Sequence, residues 1–388
     1  MADQRLKFLA QRQLGDITMT ELCDRFGVTR KTGYELLKRY RLLGVACLRD
    51  RSRAPRTHPN QTSVEVEAEV LDVRRRHPTW GSKKILAMLE RKDADASWPA
   101  RSTIDEILKR AGVVGSRGSR RRRFPGVSPV VKAEAPNDVW SADFKGWFRL
   151  GDGTRCDPLT VNDVLSRYSL ACEAVTSTKF PDVKRVFEAL FRECGLPKAI
   201  MTDNGPPFGA RGIGGLSRLA VWLLRIGVLP IYIEPGKPQQ NGKHERFHLT
   251  LGQETASPPK ATRAAQQRAF MAFRREYNEE RPHEALRLRT PASVFERSPR
   301  ELPKRLLHHE YPAEFEPRMV HTDGSMHWKG ESVFVGEALV GERIGLKPVS
   351  EGVRHVLLGP LAIGALHERT RLIVPLCPPP RRPLRVEV

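Results

Sequence analysis

Three acidic residues are set apart from the other carboxylates by where they fall: Asp143 in WSADFKGWF, Asp203 in KAIMTDNGPPF and Glu245 in PQQNGKHERFH. Each aspartate follows a short apolar or β-branched run, Val139-Trp140 for the first and Ala199 to Thr202 for the second, so each is expected at a strand or strand end. Glu245 follows the turn signal Asn241-Gly242. It sits in a stretch with Phe247 and Leu251 at helical spacing and no further Gly or Pro until Gly252. Oxygen ligands from two strands and one helix that meet at a point suit a hard divalent cation, and a cation so held suits phosphoryl transfer.

The elements that would carry these acids fall within 137–298. VWSADFKGWFRL, CDPLTVNDV and RYSLACEAV alternate in the β manner, with a Gly-Asp-Gly turn at 151–153, and predict a meander of three strands. The apolar spacing of Val183, Val186, Phe187, Leu190 and Phe191 predicts a helix over 181–194, closed by Gly195 and Pro197. A strand at 199–202, a helix at 215–226 and a strand at 228–233 complete a mixed sheet flanked by helices. Antiparallel strands followed by alternating strands and helices give a ribonuclease H-like α/β arrangement. A further helix is expected over 266–279, with Phe270, Phe273 and Tyr277 on one side. Arg281 and His283 behind it are read as fixing its end or its packing, and His308-His309 as a polar loop.

Before the core, MTELCDRFGVTRKTGYELLKRYRLLG has the build of a helix-turn-helix: a short helix near 21–26, Gly27 at the turn, Thr29 as N-cap and a second helix over 30–42. Arg30 and Lys31 open that second helix, where side chains reach base edges or phosphates. Valines at 66, 70 and 73, a helix over 83–91 and one over 103–111 capped by Ser102 suggest a second such unit. The segment RGSRRRRFPG puts Arg120, Arg121, Arg122 and Arg123 together in a Gly/Ser/Pro setting. It reads as an arm on phosphates or as a solvated linker. After Pro299, short Val/Leu/Ile runs punctuated by Gly predict a small all-β module. The expected organisation is therefore a multidomain α+β chain. It has helix-turn-helix units at 1–50 and 64–115 joined by a linker at 51–63, a basic linker at 116–136 and the core at 137–298. The β module follows at 318–376, with a Pro/Arg-rich tail at 377–388.

With 66 Lys and Arg against 45 Asp and Glu, the 388-residue chain carries a formal +21, which attracts polyanions and makes nucleic acid the leading partner. A ribosome-associated factor or a membrane-surface protein shares that charge pattern. No run of 18 apolar residues exists and the first 14 residues are charged, so neither a membrane span nor a signal peptide is expected; the location is read as cytoplasmic and nucleoid-associated. Six scattered cysteines without a C-x-x-C pair argue against a zinc module and a disulfide framework.

Taken in order, W-S-A-D, T-D-N-G-P-P-F, P-Q-Q-N-G-K-H-E-R-F and Y-N-E-E-R-P-H-E-A-L, with Pro291-Ala292 behind them, make the chain resemble the DDE transposases with an integrase-type core. The nearest likeness is to the bacterial insertion-sequence family four-eighty-one, of the retroviral integrase superfamily, and it covers the chain from the first helix-turn-helix to the β module. The resemblance implies a retroviral-integrase-like fold and Mg²⁺ at Asp143, Asp203 and Glu245 as catalytic metal ligands, two ions per site with Mn²⁺ as a substitute. It also implies cutting and joining of DNA at the element's ends. Two ions about 3.5 to 4 Å apart would stabilise the attacking and leaving oxygens of an in-line displacement.

Asn204, Gln240, Asn241, Lys243, His244 and Arg246 are candidates for holding the DNA backbone near the metals, Asn241 being equally readable as a turn residue. Transposon ends and target DNA would be the partners, with a homodimer or larger assembly on DNA. Forty-two residues separate Asp203 from Glu245, longer than in retroviral-type cores, which places an insertion near Gly209 to Gly215. The His/Cys zinc module of retroviral integrases is absent, and helix-turn-helix units stand in its place. A DNA-binding regulator with an inert core and a ribonuclease H-type nuclease without a transfer step are the competing readings.

Overall fold

A computed structural model describes residues 2–50, 61–114, 131–210, 212–234 and 237–376. The arginine run at 120–123, most of the first linker and the tail at 377–388 lie outside them. The chain divides into two compact units, Met1–Ser63 and Val64–Val388.

The first unit is three helices, α1 (Ala2–Leu14), α2 (Met19–Phe26) and α3 (Arg30–Leu43). Thr18 caps α2 in a reciprocal box with Glu21, which satisfies two of the helix's free donors at once. Gly27 ends α2 in the left-handed region (φ 63°), and Thr29 caps α3 by accepting from Thr32 N. Helix α1, which precedes the expected helix-turn-helix, is an addition to it. Its signal is thin, because only Phe8 and Leu9 of its apolar residues reach the core.

The second unit opens with α4 (Val64–Arg76), α5 (Ser82–Lys92) and α6 (Arg101–Arg110), packed through Val70, Val73, Trp80, Ile85, Leu89, Ile104 and Leu108. The cap expected from Ser102 is not used; α6 starts two residues earlier than expected, at Arg101, after Ala100, whose methyl cannot cap it.

The core follows as β1 (Val139–Phe144), β2 (Phe148–Arg149), β3 (Arg155–Asp163), β4 (Ser169–Val175), α7 (Phe180–Cys194), β5 (Ala199–Thr202), α8 (Arg218–Arg225), β6 (Leu229–Tyr232), α9 (Gly242–Thr255) and α10 (Arg263–Glu279). Its sheet runs β4-β3-β1-β5-β6, antiparallel through β4, β3 and β1 and parallel from β1 to β5 to β6. That is a ribonuclease H-like order. The first expected strand is broken at Lys145 to Trp147, and β2 resumes the pairing with β3. The expected helix at 215–226 is shorter, because Ser217 caps Ala220 N and fixes the start of α8 at Arg218. Trp140, Phe187, Phe191, Leu159 and Ile200 fill the space between the sheet and α7–α8.

The C-terminal module has β7 (Glu316–Met319), a hairpin of β8 (Ser325–Trp328) and β9 (Glu331–Phe334), and the strands β10 (Arg343–Ser350), β11 (Val353–Leu358), β12 (Leu361–His367) and β13 (Leu372–Pro375). Its sheet order is β13-β12-β11-β10-β7. Leu216, Ala220, Val221 and Leu224 of the core share one apolar cluster with Leu346, Val356 and Ile363, so the module is packed on α8. The Gly-rich loop at 209–215 lies against this module: a side chain at Gly214 would meet Ile363 at 3.3 Å.

One position tests the packing of the first unit. Gly33 lies inside α3, where alanine would gain about 1 kcal/mol of helix propensity. A Cβ there would stand 2.7 Å from Cys23 Sγ and 3.0 Å from Phe8 Cζ, both fully buried, and overpacking of that kind costs about 1–3 kcal/mol. Overpacking wins, so Gly33→Ala should lower the stability of this unit by about 1 kcal/mol in denaturant melts. A stabilised variant would show that the helices separate freely.

Candidate active site

Parallel pairing sets the two aspartates side by side. Ser141 is registered with Met201, and Asp143 and Asp203 each stand two residues beyond that pair, at the same end of neighbouring strands. Strands so paired run about 4.8 Å apart. Asp203 comes just after β5 and folds back on itself, its Oδ1 accepting from Gly205 N at 3.2 Å. A side chain at Gly205 would meet Asp203 Oδ2 at 3.1 Å, a tight contact with that carboxylate. Asn204 Nδ2 donates to the Ile233 carbonyl at 2.9 Å, while its Oδ1 is buried without a partner.

The third acid arrives by way of α9. Asn241, the residue before the helix, donates from Nδ2 to Asp143 Oδ2 at 3.1 Å, and Glu245 lies in the first turn. The Asp143 carboxyl is pushed up to about 7, first by burial, then by the charge of Asp203, with Glu245 adding to it. Asp203 is raised by burial. Asp143 therefore senses both of the other acids. Among the described residues, however, no group of three or more Asp, Glu, His or Cys is drawn close enough to hold a metal ion. The donor set itself, carboxylate oxygens beside an unpartnered amide oxygen, fits a hard divalent cation.

Behind the acids is a polar node that sequence reading did not foresee. Thr160 Oγ1 donates to the Asp143 carbonyl at 3.0 Å and also lies 2.6 Å from His244 Nε2 and 2.7 Å from His248 Nε2. A hydroxyl has one proton and two lone pairs, so both rings must donate into it. His244 Nδ1 is then the acceptor for Ser141 Oγ at 2.8 Å. Burial, aided by His248, holds His244 well below the usual imidazole range, and burial with Lys145 nearby brings His248 down to about 4. Both rings are neutral, as the node requires. The i, i+4 spacing of the two histidines on a helix was the available signal.

The expected DNA contacts separate into two groups. His244, at 1% exposure with both nitrogens engaged, cannot reach a phosphate, and that expectation is corrected. Gln240 is also buried and exchanges two hydrogen bonds with Glu234, at 2.8 and 3.0 Å, so it shapes the loop before α9. Asn241 is spent on Asp143. Lys243 and Arg246 are exposed on α9, as are Arg30 and Lys31 at the start of α3. Arg120 to Arg123 lie outside the described residues.

Arg281 is buried, donates to Glu254 Oε1 at 2.8 Å and lies over the Tyr277 ring. His283 packs edge-on to the same ring, 4.8 Å away. Burial, then Lys84, Arg281 and Arg167, push its imidazole down to about 3. In the unfolded chain both His248 and His283 would take up a proton near pH 6.5, while the folded rings resist it down to about 4 and 3. The unfolded state then binds more protons, so stability is complete above about pH 6.5 and is lost steadily as pH falls toward those values. Thermal melts should drop between pH 7 and pH 5, and His283→Phe, which keeps the ring contact, should make the drop shallower. Equal slopes in the two proteins would exclude His283 as a source.

Comparisons with known proteins agree with this architecture. An integrase core domain matches residues 133–238 and again 226–291, a helix-turn-helix domain matches 4–56 and a homeodomain-like domain 32–108. The C-terminal domain of IS481 family transposases matches 316–371. The insertion element IS407 uncharacterized 31.7 kDa protein of Burkholderia multivorans is 31% identical over 240 residues, which is 61% of this chain and 81% of that protein. The insertion element IS476 uncharacterized 39.2 kDa protein of Xanthomonas euvesicatoria is 28% identical over 229 residues, covering 58% of this chain and 63% of the other. Among solved structures, the HTLV-2 integrase catalytic core domain in complex with magnesium aligns over 42% of this chain and all of its own, at 15% identity and a TM-score of 0.33, too low to argue from. Its helix-turn-helix units, integrase core and terminal module place the chain in the IS481 family of insertion-element transposases.

Proposed function

We propose that this transposase cuts and joins DNA at the ends of its element, with Asp143, Asp203 and Glu245 as the acidic ligands of two Mg²⁺ ions. The observation that carries the reading is the register of β1 and β5, which puts two aspartates at one strand end, with the first turn of α9 held against the first of them by Asn241. When bound, divalent cations polarise the phosphate under attack and stabilise the attacking and leaving oxygens. Asn241 orients the Asp143 carboxylate, and Gly205 N–H orients that of Asp203. Water attacks the phosphodiester at the element's end and frees a 3′-hydroxyl; that hydroxyl then attacks target DNA, displacing a 3′-oxygen in turn. Phosphodiester is exchanged for phosphodiester, so neither ATP nor a covalent enzyme intermediate is needed.

In this scheme the units at 1–50 and 64–115 read the terminal repeats, with Arg30 and Lys31 entering a groove. Arg246, exposed next to Glu245, and the arm at 120–123 would hold phosphates. Two ends have to be held together for joining, so a dimer or larger assembly forms on DNA, in the nucleoid. No helix among the described residues is long and apolar enough to cross a membrane.

The test is a duplex carrying the element's terminal repeats, incubated with the full-length protein and Mg²⁺. Nicked 3′ ends and products joined to target DNA are expected. Asp143→Asn, Asp203→Asn and Glu245→Gln should each reduce both by about 10³-fold, the equivalent of losing about 4 kcal/mol of charge stabilisation, while still binding the duplex. Product from the parent that Asp143→Asn makes equally well would remove the assignment.

A further inference from the structure

Arg167 is a cation that neither the fold nor the catalytic scheme has used. It closes the turn between β3 and β4 with a left-handed backbone, φ 63°, a conformation that glycine adopts freely and arginine does not. The turn is built without its side chain. Asp163 accepts from Asn137 N at 2.8 Å and from Ser166 N and Oγ at 2.7 and 2.6 Å, and Arg167 contributes only its backbone N–H, to the Asp163 carbonyl at 3.1 Å. The guanidinium is half-buried, and no ion pair or side-chain hydrogen bond among the described residues engages it.

It lines one cleft together with Lys243, Asn241 and Tyr277. The Lys243 ammonium has only the Val164 carbonyl, at 3.5 Å, so two cations share the cleft and oppose each other. Asp163, the carboxylate that lines it, is held by the turn and is the counter-charge that both cations share. Half-burying the Arg167 guanidinium where one carboxylate is shared between two cations leaves positive charge in excess, and such an arrangement is relieved when an anion binds. The cleft reaches Asp143 on one side, where Asn241 lines it and donates to Asp143 Oδ2, and the Arg167 turn closes its other side, at the start of β1. Its positive field extends further along the seam between α5 and α10. Lys84, half-buried, is pushed down to about 8 by burial and then by Arg281, and the same cations with Arg167 act on His283.

We propose that Arg167 and Lys243 form a built phosphate site that takes the sugar-phosphate backbone of duplex DNA beside the catalytic acids, with Arg167 as the residue that fixes the phosphate. The inference rests on the DNA-joining function proposed above. Its test uses the full-length protein and a fluorescently labelled duplex titrated across a range of salt. Arg167→Gly relieves the strained backbone, so its melting temperature should not fall below the parent's. Its affinity for the duplex should weaken, and the slope of log affinity against log salt should shrink by about 0.9, the loss of one phosphate contact. Arg167→Lys, which keeps the charge, should hold the parent's slope.

If the parent binds and Arg167→Gly binds with the same affinity and slope, this site is wrong and the transposase reading is untouched. A large drop in melting temperature with unchanged affinity would make the side chain structural and also overturn it. A parent that binds no duplex at any salt sinks both readings. Inorganic phosphate that raises the parent's melting temperature in the absence of duplex binding would assign a free anion instead.

Discussion

Carboxylates gathered at one end of a sheet repel each other, and much of what packs around β1 works against that repulsion. Asp143 is tied on three sides: its strand is paired with β3 and β5, its carbonyl accepts from Thr160, and its carboxylate accepts from Asn241. Thr160 in turn collects both histidines of α9, so one buried hydroxyl joins β1, β3 and the helix that brings Glu245. A buried polar node of this kind is rigid when every member is satisfied and expensive when one is missing. It fixes the approach of α9 more tightly than apolar contact could, because a hydrogen bond has a direction and a Phe247 packed on Tyr277 has little.

The same helix is anchored at its other end. Glu254, in the last turn of α9, accepts from Arg281 Nη1 at 2.8 Å and from Thr79 Oγ1 at 2.6 Å, and Thr79 belongs to the connection between α4 and α5. His77, stacked on Trp80 at 3.8 Å, adds a hydrogen bond to Glu276 on α10, and Arg91 of α5 donates to the Glu280 carbonyl. Nine residues separate Glu245 from Glu254, a rise of about 13 Å at 1.5 Å per residue. A rigid rod of that length has Glu245 at one end and the three-helix unit α4–α6 at the other. Any displacement of that unit must either break the Glu254 contacts or be felt in the position of Glu245.

Much of this was legible in the sequence. The strand-end positions of Asp143 and Asp203 and the helical position of Glu245 were readable because such places leave local marks: an apolar run before each aspartate, and Asn-Gly before α9. The order of strands and helices then fixed the sheet, since a meander followed by β-α-β units has few ways to pack. What stayed hidden depends on contacts between distant residues. Nothing local distinguishes His244 on α9 from an exposed basic residue. Its burial follows from Ser141 and Thr160, 103 and 84 residues away. Gln240 was hidden for the same reason, its amide being taken up by Glu234, and for Asn241 the open choice between turn residue and DNA contact is closed by its place before α9 and its bond to Asp143. Helix α1 escaped because two buried residues do not make a periodic stripe, and the start of α8 was misplaced because a glycine-rich loop masked the capping role of Ser217.

The charge balance shows why local environment outweighs composition at such a site. A chain with formal +21 should depress its carboxylates, yet Asp143 is raised from 3.8 to about 7. That shift corresponds to about 4 kcal/mol against the ionised form. Exposed positive charges farther than about 8–10 Å away are screened by salt and water, whereas burial and two neighbouring carboxylates act within a few ångströms at low dielectric. The surplus cations therefore serve the approach of a polyanion to the surface, and they do little to settle the acids. Only positive charge placed among the three carboxylates can do that. On the proposed function a pair of divalent cations is what the ionised acids are arranged to receive, and the node behind Asp143 is what keeps them in place until then.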